Sequence, residues 1–539
     1  MLIVTLGNSS VEPMRRIVNI SLFWILLISL AASNVACADN HTGRSNDDVL
    51  EVGHSPKTVV SISSSTVIRQ RIPATLFGFN VHHYYFQQDF WQEKSQSVNP
   101  DITDALKAFP GALYRYPGGL IANRFWWDQA VGPIAERLPQ KAVQWAPPAK
   151  VLFGVDEYLK FVKSVEGRPW YVLNLVGWDA VALTRQRPSE EVARSNASLA
   201  AYIKQHSEKS DFPRYYQLGN ELDRADYQWS AEMYIERAKD TISAILAVDP
   251  DARFVAFLRE FDWKYKGDIT RGVSRYQDYI RDVMNGLPMV NDFSLHFYYQ
   301  PRGSVKETQQ IQWRLRQFRR AITAAREARQ GMEPNVWITE HARAIDFGAV
   351  KAMDAKFYTS NLAGALRTGD FMIALAQMPE VKGACWHGLN AMPWQLFDTS
   401  NDLRPNPVYW GLRVLRVMDL PVVLATHTES PDNSGNAGGY DVRSVAFTND
   451  ARSRLGLWIV NRAPHAIRVE VHYEPWQSHA VKIHRYYIAG KEGIDPDERG
   501  LAPTVELKPD VEKRRFDGSG AITLSVPPAS LSSFVLEKN

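Results

Sequence analysis

The chain is nearly free of cysteine, with two in 539 residues, Cys37 and Cys385. No disulfide framework can be built from them, so the fold must be held by its core alone. A dominant charge is also missing: 62 Lys and Arg face 59 Asp and Glu, a net charge of +3. That balance offers no electrostatic case for nucleic acid or an anionic membrane surface as partner. Long hydrophobic runs are absent except near the N-terminus, where Ile17 to Ala32 is 16 residues, short of the roughly 20 a membrane span needs. There is no short-period repeat and no low-complexity tract. With 45% hydrophobic and 22% charged residues the composition excludes a disordered, collagen-like or coiled-coil protein.

The N-terminal run has the grammar of a targeting segment. Met14-Arg15-Arg16 is a positive start, the apolar stretch follows, and Ala36-Cys37-Ala38 places small residues for cleavage after Ala38. Residues 1–38 are therefore expected to be a signal peptide. The mature protein is then exported, periplasmic or extracellular, with no stable membrane insertion after cleavage. Cys37 is not in a good lipidation context, because Asn34 stands where a lipobox carries Leu.

What the chain does have is aromatic residues, including 16 Trp. It also has a strong change of texture. Residues 39–57 are a polar linker, and 58–75 read as one or two strands from the alternation in TVVSISSSTVI. From Pro421 to Asn539 short strands such as SVAFTND, LGLWIVNRA, IRVEVHY and ITLSVPP are separated by Gly, Asn and Pro, the pattern of a β-sandwich. Between them, in 76–420, eight apolar runs start at 76, 112, 170, 215, 253, 292, 336 and 381. Helical patterns such as VDEYLKFVKSVEG, SAEMYIERAKDTISAILA and the stretch from Lys306 to Arg329 fill the gaps. Eight such units predict an α/β fold, a (βα)8 TIM barrel, with a C-terminal sandwich that the N-terminal strand joins. A doubly wound open sheet is the alternative. No glycine-rich phosphate loop follows the first strand, which counts against it.

In such a barrel the active site lies at the C-terminal strand ends. Those ends read Asn80, His82 and His83 on the first, Arg115 on the second, Asn174 on the third and Gly219-Asn220-Glu221 on the fourth. The sixth ends in His296 and Tyr298, the seventh in Glu340, and the eighth in Trp386 and His387. Two glutamates, on the fourth and seventh strands, suggest a paired-carboxylate site, as glycoside hydrolysis requires: one acid to protonate the leaving oxygen, one carboxylate to attack the anomeric carbon. Asn80, His82, Arg115, Asn174, Asn220, His296, Tyr298 and Trp386 are candidate substrate-binding residues. Carbohydrate is the expected partner, with no cofactor and no metal.

These residues carry a resemblance. RYPGG (115–119), WWDQAVGP (126–133), QLGNELD (217–223) with Gln228, SLHFY (294–298) and WITEH (337–341) are together similar to the strand ends of clan A glycoside hydrolases. They are most similar to family 51, the α-L-arabinofuranosidases, and the resemblance covers roughly residues 58–539. Glu221 and Glu340 stand 119 residues apart, an interval usual in the clan. The resemblance implies that Glu221 is the general acid/base and Glu340 the nucleophile of a retaining hydrolase of plant or algal polysaccharide or oligosaccharide. It implies that Asn220 contacts the sugar 2-hydroxyl and that Arg115 and Tyr298 hydrogen-bond Glu340.

The chain departs from family 51 in three places: His82-His83 for Glu-His, Leu120 for Asn, and His341 for Trp. β-Xylosidase, β-glucuronidase and endo-glycanase specificities of the same clan are the alternatives. A metal-dependent barrel hydrolase using His82, His83, His296, His341 and His387 is a further one.

Overall fold

The computed structural model describes residues 58–538 apart from 86–89, 93, 144–145, 184–185, 208–210, 224–226, 228, 260–275, 300–306, 345–351, 391–392, 399–402 and 432–440. The expected signal peptide, the linker and Gln228 lie outside the described residues. Among the described residues no helix is long and apolar enough to cross a membrane.

Eight parallel strands close into a barrel: Gly78–Asn80, Leu113–Tyr116, Arg168–Val172, Tyr215–Gln217, Arg253–Phe257, Asp292–Tyr299, Asn335–Arg343 and Val381–Trp386. They are the eight apolar runs of the sequence. Residues alternate between the helix layer and the barrel interior, as strand geometry dictates. At the N-terminal end the interior is sealed by Trp170, Tyr215 and Trp337, whose rings stand 4.8–5.0 Å apart. At the other end the inward positions turn polar. The first strand is squeezed between its neighbours: a Cβ on Gly78 would meet Ala384 O at 2.6 Å and Cys385 Sγ at 2.8 Å, so only glycine fits.

The helices form where the 3.6-residue pattern and caps agree. Ala231–Val248 starts at Ser230, whose hydroxyl accepts from Met233 N at 3.2 Å, and buries Tyr234, Ala238, Ile242 and Ile245. Leu362–Ala376 is different. It is apolar almost all round and buried along its length, because it lies between the barrel and the C-terminal region.

That region is a sandwich made from one continuous sheet of nine strands. In order across the sheet they are Thr504–Arg515, Ala480–Ala489, Ser530–Lys538, Arg454–Asn461, Val442–Thr448, Val422–Glu429, Thr58–Arg69, Ile467–His472 and Ala521–Val526. The sheet curls over a shared core, so that Val60, Leu424, Leu457, Val481 and Leu524 from separate strands fall in one cluster. Thr58–Arg69 sits well inside the sheet, antiparallel to Val422–Glu429 and parallel to Ile467–His472. The N-terminal strand thus joins the sandwich.

Polar ties fasten sandwich to barrel. Asp370, buried on Leu362–Ala376, pairs with Arg443 and Arg462 of the sandwich. Arg343, on the seventh barrel strand, grips both carboxylate oxygens of Asp497.

Candidate active site

Glu340 faces into the barrel because its strand is irregular. Trp337 points inward, so strict alternation would turn residue 339 in and residue 340 out. The pairing register with the sixth strand shifts between Ile338 and Glu340, a bulge of the kind that re-aims side chains beside active sites. Glu340 then joins the inward set, and His341 turns to the helix layer.

Around Glu340 the donors are dense. Arg115 Nη1 lies 3.0 Å from Oε1; Tyr298 Oη donates to Oε2 at 2.6 Å, and His387 Nδ1 is 3.1 Å from Oε2. Burial alone would raise the pKa of this carboxyl. His296, His387 and Arg115 override it and hold the group well below the usual carboxylate range, so Glu340 is ionised. Tyr298 moves the other way: burial and the adjacent Glu340 raise its pKa well above the normal phenol value, keeping it a donor. The Glu340 carboxylate is also closed off on one side, since a Cβ on Gly119 would come within 2.8 Å of Oε1.

Glu221 follows the fourth strand with φ of +46°, a left-handed conformation that side-chain-bearing residues seldom adopt. Two contacts support this turn. Asn123 donates to Asn220 O at 2.6 Å, and Asn220 N donates to Asn123 Oδ1 at 3.0 Å. Glu221 Oε1 meets His296 Nδ1 at 2.6 Å, and that nitrogen is also 3.4 Å from Glu340 Oε2. Oxygen atoms of the two carboxylates and a nitrogen of His296 all lie within 4.8 Å of one another.

Comparison with known proteins points the same way. The model of the α-L-arabinofuranosidase 1 domain matches residues 105–316. The intracellular exo-α-(1→5)-L-arabinofuranosidase of Streptomyces lividans is 26% identical over 240 residues, 42% of this chain and 35% of its own length. The chain thus spans about a third of that relative. Among solved structures, a family 51 α-L-arabinofuranosidase from Bifidobacterium longum superposes with a TM-score of 0.70 at 16% identity, over 90% of this chain and all of that one. The arabinose complex of the Thermotoga maritima α-L-arabinofuranosidase gives 0.68 at 18%, again over 90% and all. The fold is that of the family 51 glycoside hydrolases.

Within this family 51 fold the expected site residues divide into two groups. Asn220, His296, Tyr298 and His82 surround the glutamate pair. Asn220 accepts from Arg115 through Oδ1, while its Nδ2 is buried without a hydrogen-bond partner among the described residues. His82 receives Gly119 N on Nε2 at 3.3 Å, and its ring is 5.4 Å from that of His387. Arg115 is fully buried and spends its donors on Glu340, Asn80, Asn220 and Gln217, so it positions groups rather than touching a sugar.

As with Arg115, the substrate-binding expectation is corrected for three further residues. Trp386 points to the helix layer, is fully buried and donates Nε1 to Trp394 O at 2.8 Å, so it cannot be a sugar platform. Asn80 has no free group: Nδ2 bonds Thr339 O and Trp386 O, and Oδ1 accepts from Arg115. Asn174 braces loops, accepting from Gly177 N and donating to Phe125 O.

Sequence reasoning passed over Asn123, Gln217 and Trp394, and gave His387 no role in the pair's chemistry. Trp394 supplies the aromatic wall that Trp386 does not; its ring is 4.4 Å from His387 and 5.7 Å from Tyr298. Register at the strand ends marks Gln217 and His387, whereas Asn123 and Trp394 lie in the segments that follow the second and eighth strands.

The histidines do not form a metal cluster of the expected kind. His83 packs on Phe125, and His341 packs against Phe371 and Trp386; burial pushes each down to about 3, leaving them neutral. Glu221, His296 and Glu340 could bring three donor atoms to an ion. However, Glu340 already receives Arg115 and Tyr298, and a cation there would sit against a guanidinium.

His296 instead lies between the two carboxylates, with Nδ1 within 3.4 Å of an oxygen of each. Burial lowers its pKa, but Glu340 and Glu221 raise it more, and the net value is above the ordinary 6.5. Its contribution to stability is therefore full below pH 6.5 and is lost as pH rises through the folded-state value. In thermal denaturation followed from pH 5 to 9, the stability advantage of wild type over His296→Asn should narrow on the alkaline side. An advantage that widens with pH would contradict the charged His296.

Proposed function

We propose that this protein is a retaining glycoside hydrolase acting on α-L-arabinofuranosides or closely related sugars by double displacement. One observation carries the reading: two carboxylates with oxygens inside 4.8 Å, one of them held ionised by Arg115, His296 and His387. Separations near 5 Å leave no room for a water between acid and nucleophile, so the second carboxylate attacks directly. In this scheme Glu340 attacks the anomeric carbon while Glu221 protonates the departing oxygen. Glu221 then removes a proton from the water that releases the sugar. The unpartnered Asn220 Nδ2 is placed to hold a hydroxyl beside the anomeric carbon, and Tyr298 and Arg115 release charge density from Glu340 as the glycosyl bond forms.

The specific sugar rests on the relatives' arabinofuranosidase activity. Against it stands His82 where the family has a glutamate, which keeps the other specificities of the clan, a β-xyloside among them, as the second reading. Proton NMR of the anomeric signal during hydrolysis of aryl arabinofuranoside and aryl xyloside tests both. The first-formed product should keep the substrate's anomeric configuration, and an inverted product would remove the double displacement.

A further inference from the structure

The pair between Arg343 and Asp497 does more than join barrel to sandwich. Arg343 ends the seventh strand, three residues beyond Glu340, and is buried. Asp497 belongs to the segment 490–503, which links the sandwich strands Ala480–Ala489 and Thr504–Arg515 and reaches the end of the barrel where the site lies. Its oxygens take Nη1 and Nη2 of Arg343 at 2.5 and 2.7 Å, a bidentate fork that fixes the guanidinium in plane as well as in place. Asn361 adds to the grip. Its Nδ2 donates to Asp497 Oδ1 at 3.0 Å, while its Oδ1 caps Leu362–Ala376 by accepting from Gly364 N at 2.9 Å. Ala363 N also donates to Pro496 O at 3.3 Å, so the segment is seated by main chain and side chain together. Burial would raise the pKa of Asp497, but Arg343, with Arg367 and Asn361 behind it, holds the carboxyl below the usual range, and the pair is ionised.

From Arg343 the path to the nucleophile is short. Its main-chain oxygen accepts Trp394 Nε1 at 2.8 Å. The main chain beside Trp394 is anchored through carbonyl oxygens, which accept from Thr359, Ser360 and Trp386. The Arg343 oxygen holds the indole itself. That ring packs on His387 and Tyr298, and both of those side chains meet Glu340 Oε2, at 3.1 and 2.6 Å.

We propose that Asp497 is a positioning residue of the active site: by clamping the end of the nucleophile's strand it fixes the Trp394 wall, and through that wall the groups that orient Glu340. The inference rests on the retaining-hydrolase reading. It gives the sandwich a share in the chemistry, because a misplacement of about 1 Å that starts far from the reacting atoms can cost about 10²-fold.

Asp497→Asn keeps the shape of the side chain, still accepts from one arm of the fork and turns a donor toward the other. Assayed where circular dichroism shows it fully folded, it should lose about tenfold in kcat on the aryl glycoside that wild type turns over fastest, with KM near that of wild type. Trp394→Phe leaves a ring against His387 but no donor for Arg343 O, and should lose a similar amount in kcat. The double variant should lose little more than either single one, since both changes act on one path. Arg443→Gln is the control. It loosens barrel and sandwich at Asp370 instead, and should lower stability while kcat stays at the wild-type value.

If Asp497→Asn does not fold, Asn361→Ser takes its place. Serine still caps the helix but withdraws one bond from Asp497, so kcat should fall about threefold, again without adding to the loss in Trp394→Phe. Wild-type kcat in the folded variant overturns the proposal. So does a double variant whose losses multiply, which would put Asp497 and Trp394 on separate paths. An equal loss of kcat in Arg443→Gln overturns it as well, by making the effect one of docking in general. A wild type inactive on all aryl glycosides would count against the hydrolase reading itself, which keeps the two failures distinct.

Discussion

Glu340→Gln should reduce turnover of any accepted aryl glycoside by on the order of 10⁵-fold or more, the loss that follows removal of an enzymic nucleophile. The substitution also tests the architecture. Glu340 is not a solvent-facing reactant whose replacement leaves the fold untouched. It is 3% exposed and neutralises Arg115, which is wholly buried. An amide still accepts from the guanidinium but brings no charge, so a stability loss of roughly 1–3 kcal/mol is expected from denaturant unfolding. Substantial activity in a folded Glu340→Gln protein would place the nucleophile elsewhere.

Glu221→Ala should behave differently. Without the acid, substrates with poor leaving groups lose about 10²–10⁴-fold. Aryl glycosides with good leaving groups need little protonation, so their first step survives and the glycosyl-enzyme accumulates. Azide needs no base, so it should restore part of the rate and yield a glycosyl azide of retained configuration. No such product should form with Glu340→Ala. Rescue of Glu340→Ala with retention, and none for Glu221→Ala, would exchange the two assignments. His296 makes a second readout available. It touches Glu221 Oε1 at 2.6 Å, so in Glu221→Ala it loses one of the two carboxylates that raise its pKa.

The barrel was legible in the sequence because its strands are spaced apolar runs, and because residues inside a barrel differ in kind from residues facing helices. Period-two counting sorts most of the site. On the first strand Asn80 and His82 turn in and Phe79 and Val81 out; on the sixth His296 and Tyr298 turn in and Phe297 out. The same counting on the eighth strand, applied from Cys385 inward, separates His387 from Trp386. Trp386 has the aromatic ring of a sugar platform, but register puts it on the helix side of the strand. Counting fails on the seventh strand, where the bulge before Glu340 shifts the phase and no residue in WITEH announces it. Asn123 was hidden for another reason: its role is to hold a backbone 97 residues away, and such a contact leaves no local pattern. The continuity of the sandwich sheet was equally invisible, since strand texture reports faces and not neighbours.

The place of Thr58–Arg69 has a consequence for how the protein is made. This strand emerges early, yet the strands on either side of it, Val422–Glu429 and Ile467–His472, are about 350 and 400 residues further along. At roughly 5–20 residues per second, a ribosome takes about 20–80 s to supply them. The whole barrel is synthesised in that interval while a β-rich segment waits with both edges unpaired. Closure of the sandwich is thus a late, long-range event. The chain should depend on something that shields residues 58–69 until its own C-terminal strands arrive.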